Sequence, residues 1–250
     1  MSEYAVNQEK YAALARQAAA EGCVLLKNDK ETLPIQAGEK IAVFGRAAFN
    51  YYKSGLGSGG LVNTRYVVSI LDALKAEKDI ALDDNVLAAY EGWLKDNPYD
   101  EGEGWGKVPW SQKEMPLDDA LVEQAAKVND KAIVIIGRTA GEDQDTFDKE
   151  GQYRLSQTEI DTIRKVKSCF DKMIVLLNVG NIIDMKWVDE LKPDAVMYVW
   201  QGGQEGGNGV ADVLMGRVNP CGKLTDTIAE NIEDYPSTSC FGDLTRNEYK

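Results

Sequence analysis

The sequence predicts an α/β fold: a three-layer sandwich with a mostly parallel central sheet and helices on both faces. Two observations carry this expectation. Short apolar runs rich in β-branched residues recur at 40–45, 132–136, 173–177 and 195–199, and each reads as a strand covered on both faces. Between them, from residue 117 onward, lie segments whose apolar residues fall at helical spacing, and strands that alternate with helices pair in parallel. Gly45, Gly137, Gly180 and Gly202 follow apolar runs, so several strand exits are expected as tight turns along one edge of the sheet.

Taken in order, residues 7–21 predict an amphipathic helix that closes against the core through Tyr11, Leu14, Ala15, Ala18 and Ala19, with Gly22 as its C-terminal cap. A short extended segment at 24–28 and a turn at Leu33-Pro34 lead to the strand at 40–45. The loop at 51–60 then carries a formal GxGxxG at Gly55, Gly57 and Gly60. A dinucleotide-binding turn follows its strand directly and opens a helix, whereas about ten residues intervene here, so the context argues against that role. Two readings stay open: a flexible loop, or one that lets backbone approach a ligand while Tyr51-Tyr52 stacks on it.

Helices are expected at 65–76 and 85–95. The pattern breaks at 92–116, which holds Trp93, Trp105 and Trp110, three prolines and the acidic patch Asp100-Glu101-Gly102-Glu103. Its tryptophans either pin a long loop to the body or form an aromatic wall of a pocket. Further on, helices are expected at 118–128, 157–170, 185–191 and 205–215. The start of the second of these is sharp, because Ser156 with Glu159 forms a capping box and Leu155 with Ile160 a staple. One domain is expected over 1–228, followed by an irregular tail or linker at 229–250.

Composition narrows the function. The chain has 250 residues, 44% of them hydrophobic, a formal net charge of −13 and a sequence pI near 4.6. Such an acidic chain is a poor partner for nucleic acid and for anionic membrane surfaces. No apolar run approaches the roughly 20 residues that span a bilayer, and residues 1–10 lack a signal-peptide layout, so cytoplasmic residence is expected. Cys23, Cys169, Cys221 and Cys240 are far apart and read as free thiols. The chain has no histidine, which removes the usual base of Ser and Cys catalysis and the commonest zinc ligand. Chemistry here falls to carboxylates, Lys, Tyr or Cys, with no metal or cofactor expected.

The stretch 131–145 is the candidate site. Its buried strand, ended by Gly137, delivers a loop that presents Glu142 flanked by Asp143 and Asp145. Crowded carboxylates raise one another's pKa, the condition a general acid needs. The alternative is a solvated acidic turn.

Together the segments resemble a known family. Residues 15–28 (ARQAAAEGCVLLKN) followed by Leu33-Pro34, then Gly57-Ser58-Gly59, Ala140-Gly141-Glu142-Asp143-Gln144-Asp145, Asn178-Val179-Gly180 and the stretch from Gln201 to Leu224 are similar to landmarks of the second, α/β-sandwich domain of glycoside hydrolase family 3, the β-glucosidase family. The resemblance implies a retaining glycosidase with its acid/base on this domain, at Glu142, and its Asp nucleophile on a separate (β/α)8 barrel. It implies sugar contact for Ser58 beside Gly57, with Asp145 and Tyr51 as further candidates. The family often has Gly-Glu-Gly-x-Asp-Arg where this chain has Gly-Glu-Asp-Gln-Asp-Thr, so Asp145 matches while Asp143 and Thr146 depart. The implied partners are a β-linked glucoside or oligosaccharide and a barrel domain of the same polypeptide, absent from these residues; oligomeric state stays open. Retention needs two carboxyl groups about 5 Å apart, so the chain alone is expected to be inactive. Two other readings stand beside this one: a non-catalytic module, flavodoxin-like in outline, that binds a nucleotide or flavin, and a carbohydrate-binding domain without activity.

Overall fold

The strand expected at the heart of the molecule lies at the centre of its sheet. The computed structural model describes residues 7–60, 62–142 and 144–241. Six strands form one sheet: β1 (Val24–Asn28), β2 (Lys40–Phe44), β3 (Ala81–Leu82), β4 (Lys131–Arg138), β5 (Met173–Val179) and β6 (Ala195–Tyr198). Their order is β1-β6-β5-β4-β2-β3, and every pairing is parallel except that of the edge strand β1 with β6. The register sets Ile133 beside Val43 on one side and Ile174 on the other.

Alternation along the strands divides the core in two. Phe44, Val134, Ile136, Val175, Leu177 and Tyr198 meet α3 (Asp84–Asp96), α4 (Asp119–Val128), α5 (Gln157–Cys169) and α6 (Lys186–Leu191). Ile41, Val43, Ile133, Ile135, Leu176 and Met197 meet α1 (Gln8–Gly22), α2 (Ile70–Ala76) and α7 (Gly206–Leu214). All eight residues of β4 are buried, as covering on both faces requires. The three-layer α/β sandwich is therefore the observed fold.

Several boundaries differ from expectation, each for a local reason. β4 does not end at Gly137: it runs on through Arg138, with Gly137 paired to Asn178. Glycine is needed there for packing, since a Cβ would lie 2.7 Å from the Tyr52 ring and 2.8 Å from Ala47. α2 begins at Ile70 and not at 65, because Ser69 and Asp72 form a capping box that fixes the start.

α1 exists, but it presents a different face from the one expected. Tyr11 and Leu14 are 56% and 55% exposed and Ala15 and Ala18 are also exposed, while Ala19 and Ala20 turn inward. Two contacts set this rotation. Gly209 of α7 approaches the Ala19–Ala20 backbone so closely that a Cβ would sit 2.8 Å away, and Arg16 donates to Asp212 at 2.7 Å. Small residues and an ion pair, and not the largest apolar ones, choose the buried face.

The excursion between α3 and α4 divides its tryptophans. Trp93 belongs to α3 and carries the guanidinium of Arg46 over its ring at 5.5 Å. The Trp110 carbonyl accepts from Thr139 N at 2.9 Å, whereas Trp105 is 55% exposed. Among the described residues, no helix is long and apolar enough to cross a membrane.

Candidate active site

Parallel strands send their carboxyl ends to one edge, where open α/β sheets place their ligand crevices. Residues 139–156, leaving β4, run along this edge and present Glu142 as an exposed side chain. The glycine-rich loop leaving β2 lies directly against it. Leu56 bridges Gly141, the Leu56 N–H donates to Ala140 O at 2.5 Å, and the Ser58 N–H donates to Glu142 Oε2 at 2.9 Å. Gly57, with φ +94°, permits this approach, since a Cβ there would fall 2.5 Å from Glu142 Cβ and 2.7 Å from Oε2. The loop is thus a cradle for one carboxylate, not a free flap. Its glycines serve contact between loops and not a dinucleotide.

This contact reverses one expectation. The backbone N–H of Ser58, followed by its side chain, holds the Glu142 carboxyl below its ordinary value of 4.5, outweighing the opposing effect of desolvation. Hydrogen bonds to the charged form favour that form, and an exposed loop in water mutes repulsion between neighbouring carboxylates. Asp143 lies outside the described residues. Asp145 is exposed two residues beyond it, and Thr146 accepts from Asn181 Nδ2 at 2.8 Å, tying the loop to the exit of β5.

Of the residues expected at the site, Glu142, Ser58 and Gly57 come together. Tyr51 does not join them. It turns its hydroxyl to Gly202 and Gly206 at the start of α7, and burial pushes that hydroxyl up to about 12. The glycines of α7 are filled as well: a Cβ at Gly206 would collide with Tyr51, one at Gly207 with Ser69 O, and one at Gly209 with Ala19. A phosphate at this helix start would meet protein, and Glu205 is buried there beside Tyr66. These contacts count against the nucleotide-module reading.

Three further residues, which the sequence pattern did not mark as supports, brace the edge. Buried Asn178, near the end of β5, accepts from Tyr52 N at 2.9 Å and donates to Trp200 O at 2.6 Å, so it ties the loops leaving β2 and β6 to β5. Gln201 donates to Arg138 O at 3.2 Å. Arg138, fully buried, forms a two-pronged pair with Glu159 at 2.6 and 2.7 Å and donates to Gln152 O at 3.0 Å. It thereby fixes the far end of the Glu142 loop to α5. A polar residue closing an apolar strand was the available signal for both Asn178 and Arg138. No group of three His, Cys, Asp or Glu side chains among the described residues is arranged to hold a metal.

The model of the glycosyl hydrolase family 3 C-terminal domain matches residues 23–249. The chain belongs to this family. A β-glucosidase of Ruminococcus albus is 55% identical over 236 residues, covering 94% of this chain and 25% of the relative. β-Glucosidase A of Butyrivibrio fibrisolvens is 36% identical over 265 residues, covering 96% and 31%. Among solved structures, a β-glucosidase from Paenibacillus barengoltzii superposes with a TM-score of 0.92 at 53% identity, covering 97% of this chain and 27% of that one. β-Glucosidase 3B from Thermotoga neapolitana, solved with glucose, gives 0.84 at 37%, covering 94% and 33%. The chain thus spans about a quarter to a third of the length of these relatives, which are named as β-glucosidases.

Proposed function

We propose that this family 3 domain supplies the general acid/base, Glu142, to a retaining β-glucosidase whose Asp nucleophile lies on a barrel domain of the same polypeptide. The observation that carries this reading is the Ser58–Glu142 contact, which holds one exposed carboxylate at the carboxyl edge of the sheet. In the first half of the reaction, protonated Glu142 donates to the glycosidic oxygen while the nucleophile attacks the anomeric carbon. In the second, its carboxylate takes a proton from the water that releases the sugar.

The lowered pKa of Glu142 in this domain suits the second half alone. A nucleophile carboxylate brought to about 5 Å would raise it through like-charge repulsion and supply the acid for the first half. The domain by itself therefore lacks the nucleophile, and with it the like charge that would keep Glu142 protonated, and it is inactive in this reading.

Glu142→Ala in the complete enzyme tests the assignment. Turnover of a disaccharide should fall by at least about a hundredfold, substrates with good leaving groups should be partly spared, and for these azide should restore turnover by attacking the glycosyl-enzyme in place of water, giving the glycosyl azide with no need of a base. Undiminished hydrolysis of the disaccharide would sink the assignment.

A further inference from the structure

The connection that carries Glu142 is gripped on both sides of that residue by one short stretch, the exit of β5. Before Glu142, Gly180 backs onto Ala140 so closely that a Cβ at residue 180 would lie 2.6 Å from the Ala140 Cβ. After it, Asn181 Nδ2 donates to Thr146 Oγ1 at 2.8 Å. Among the described residues, the other hydrogen bonds of 145–149 run within the connection itself, such as those from Phe147 N to Gln152 Oε1 and from Arg154 Nη2 to Asp148 O, each at 3.0 Å. The Asn181 amide therefore ties this half of the loop to the sheet.

That amide is bonded on one side only. Asn181 Oδ1 is buried and accepts no hydrogen bond from the protein. A buried acceptor without a donor opposes folding, so an apolar side chain of the same branching would serve stability at least as well. Turning the amide over does not remove the cost, because Thr146 would then donate to the oxygen and leave the N–H groups without an acceptor. Departures of this kind from full hydrogen bonding gather at functional sites, where the one bond that is made has a use.

We propose that Asn181 is a positioning residue for Glu142. Acting through Thr146, it fixes where the acid/base carboxyl meets the glycosidic oxygen, and it exchanges no proton itself. The proposal rests on the reading of Glu142 as the acid/base. With the loop held at Ala140 and at Thr146, the Ser58 N–H fixes the carboxylate between the two points. Freeing Thr146 leaves the carboxylate without its second anchor, and proton transfer depends on that geometry.

Asn181→Leu and Thr146→Val each delete the bond and keep the branching of the side chain. In the complete enzyme, kcat/KM reports the first half of the reaction, in which a poor leaving group needs the acid and a good one hardly does. Both variants should lower kcat/KM for cellobiose about tenfold more than for p-nitrophenyl β-D-glucoside, through kcat and not KM. Thr146→Ser, which keeps the hydroxyl, should stay within about twofold of wild type on both compounds. Asn181→Leu should melt no lower than wild type while it loses activity, a separation that a brace for the fold alone would not produce. Equal losses on the two compounds, or undiminished cellobiose hydrolysis in either variant, would overturn the proposal; should Asn181→Leu fail to fold, Thr146→Val decides. If Glu142→Ala separates the two compounds and these variants do not, the proposal falls alone. If Glu142→Ala keeps its cellobiose activity, or wild type cleaves neither compound, the acid/base reading falls and takes the proposal with it.

Discussion

Gly57 and Glu142 are so closely apposed that one methyl group should separate them. A Cβ at residue 57 would lie 2.5 Å from Glu142 Cβ, and the φ of +94° there is one that L-residues rarely adopt. Gly57→Ala should therefore displace the Ser58 N–H from the carboxylate. In the role proposed for Glu142, a shift of about 1 Å would cost about a hundredfold in rate, while the backbone strain costs only about 1–2 kcal/mol. Kinetics of the complete enzyme should show that fall in kcat alongside a melting temperature lowered by a few degrees; a variant with wild-type kcat would contradict the cradle. Glu142 itself was legible from a buried strand followed by an acidic loop. Its holder was not, because the bond joins residues 84 apart through a backbone N–H that every residue but proline carries. The pKa expectation failed for the same reason: repulsion among side chains is visible in a sequence, but a donor from a distant loop is not.

α5 is anchored to β4 by one acidic side chain with two tasks. Glu159 accepts from Ser156 N at 2.7 Å to close the capping box, and it pairs with buried Arg138 at 2.6 Å. Removing one partner of a buried pair leaves the other charge unpaired, at a cost of about 3–5 kcal/mol. Glu159→Ala should lose that much in chemical denaturation, whereas Arg138→Met with Glu159→Met together should lose less than the sum of the two single changes. Additive losses would mean that the pair carries no coupling. Strands and helices were mostly legible at this scale, since apolar runs and helical spacing are local properties. The errors arose where tertiary contact decided the outcome. Arg138 stays in the strand because Glu159 waits for it, and α1 rotates about Ala19 and Arg16 because Gly209 and Asp212 receive them. The antiparallel partner of β1 could not be read from Val24–Asn28 alone, because a register depends on the strand opposite.

Across the whole molecule, the long excursion is tied to the sheet through a buried carboxyl whose protonation should be felt in global stability. Glu114 accepts from Arg46 N and from Met115 N, both at 2.8 Å, and Arg46 in turn donates to Lys113 O and Asn97 O at 2.9 and 3.0 Å. Burial pushes the Glu114 carboxyl from 4.5 up to about 7, against the pull of those two N–H donors. Between these values the folded chain keeps a proton that the unfolded chain has released. The favourable contribution of this group is therefore complete below about pH 4.5, shrinks as pH rises, and is gone above about pH 7. The shift amounts to about 3 kcal/mol. Glu114→Gln cannot titrate, and it keeps only one acceptor for the two N–H groups, so it should be less stable than wild type near pH 5. The gap should narrow towards pH 8 as wild type loses its proton. Denaturation of both chains from pH 5 to 8 measures the difference directly, because carboxylates common to the two cancel; a difference that stays constant over this range would mean that Glu114 is ionised throughout, with Arg46 as its partner.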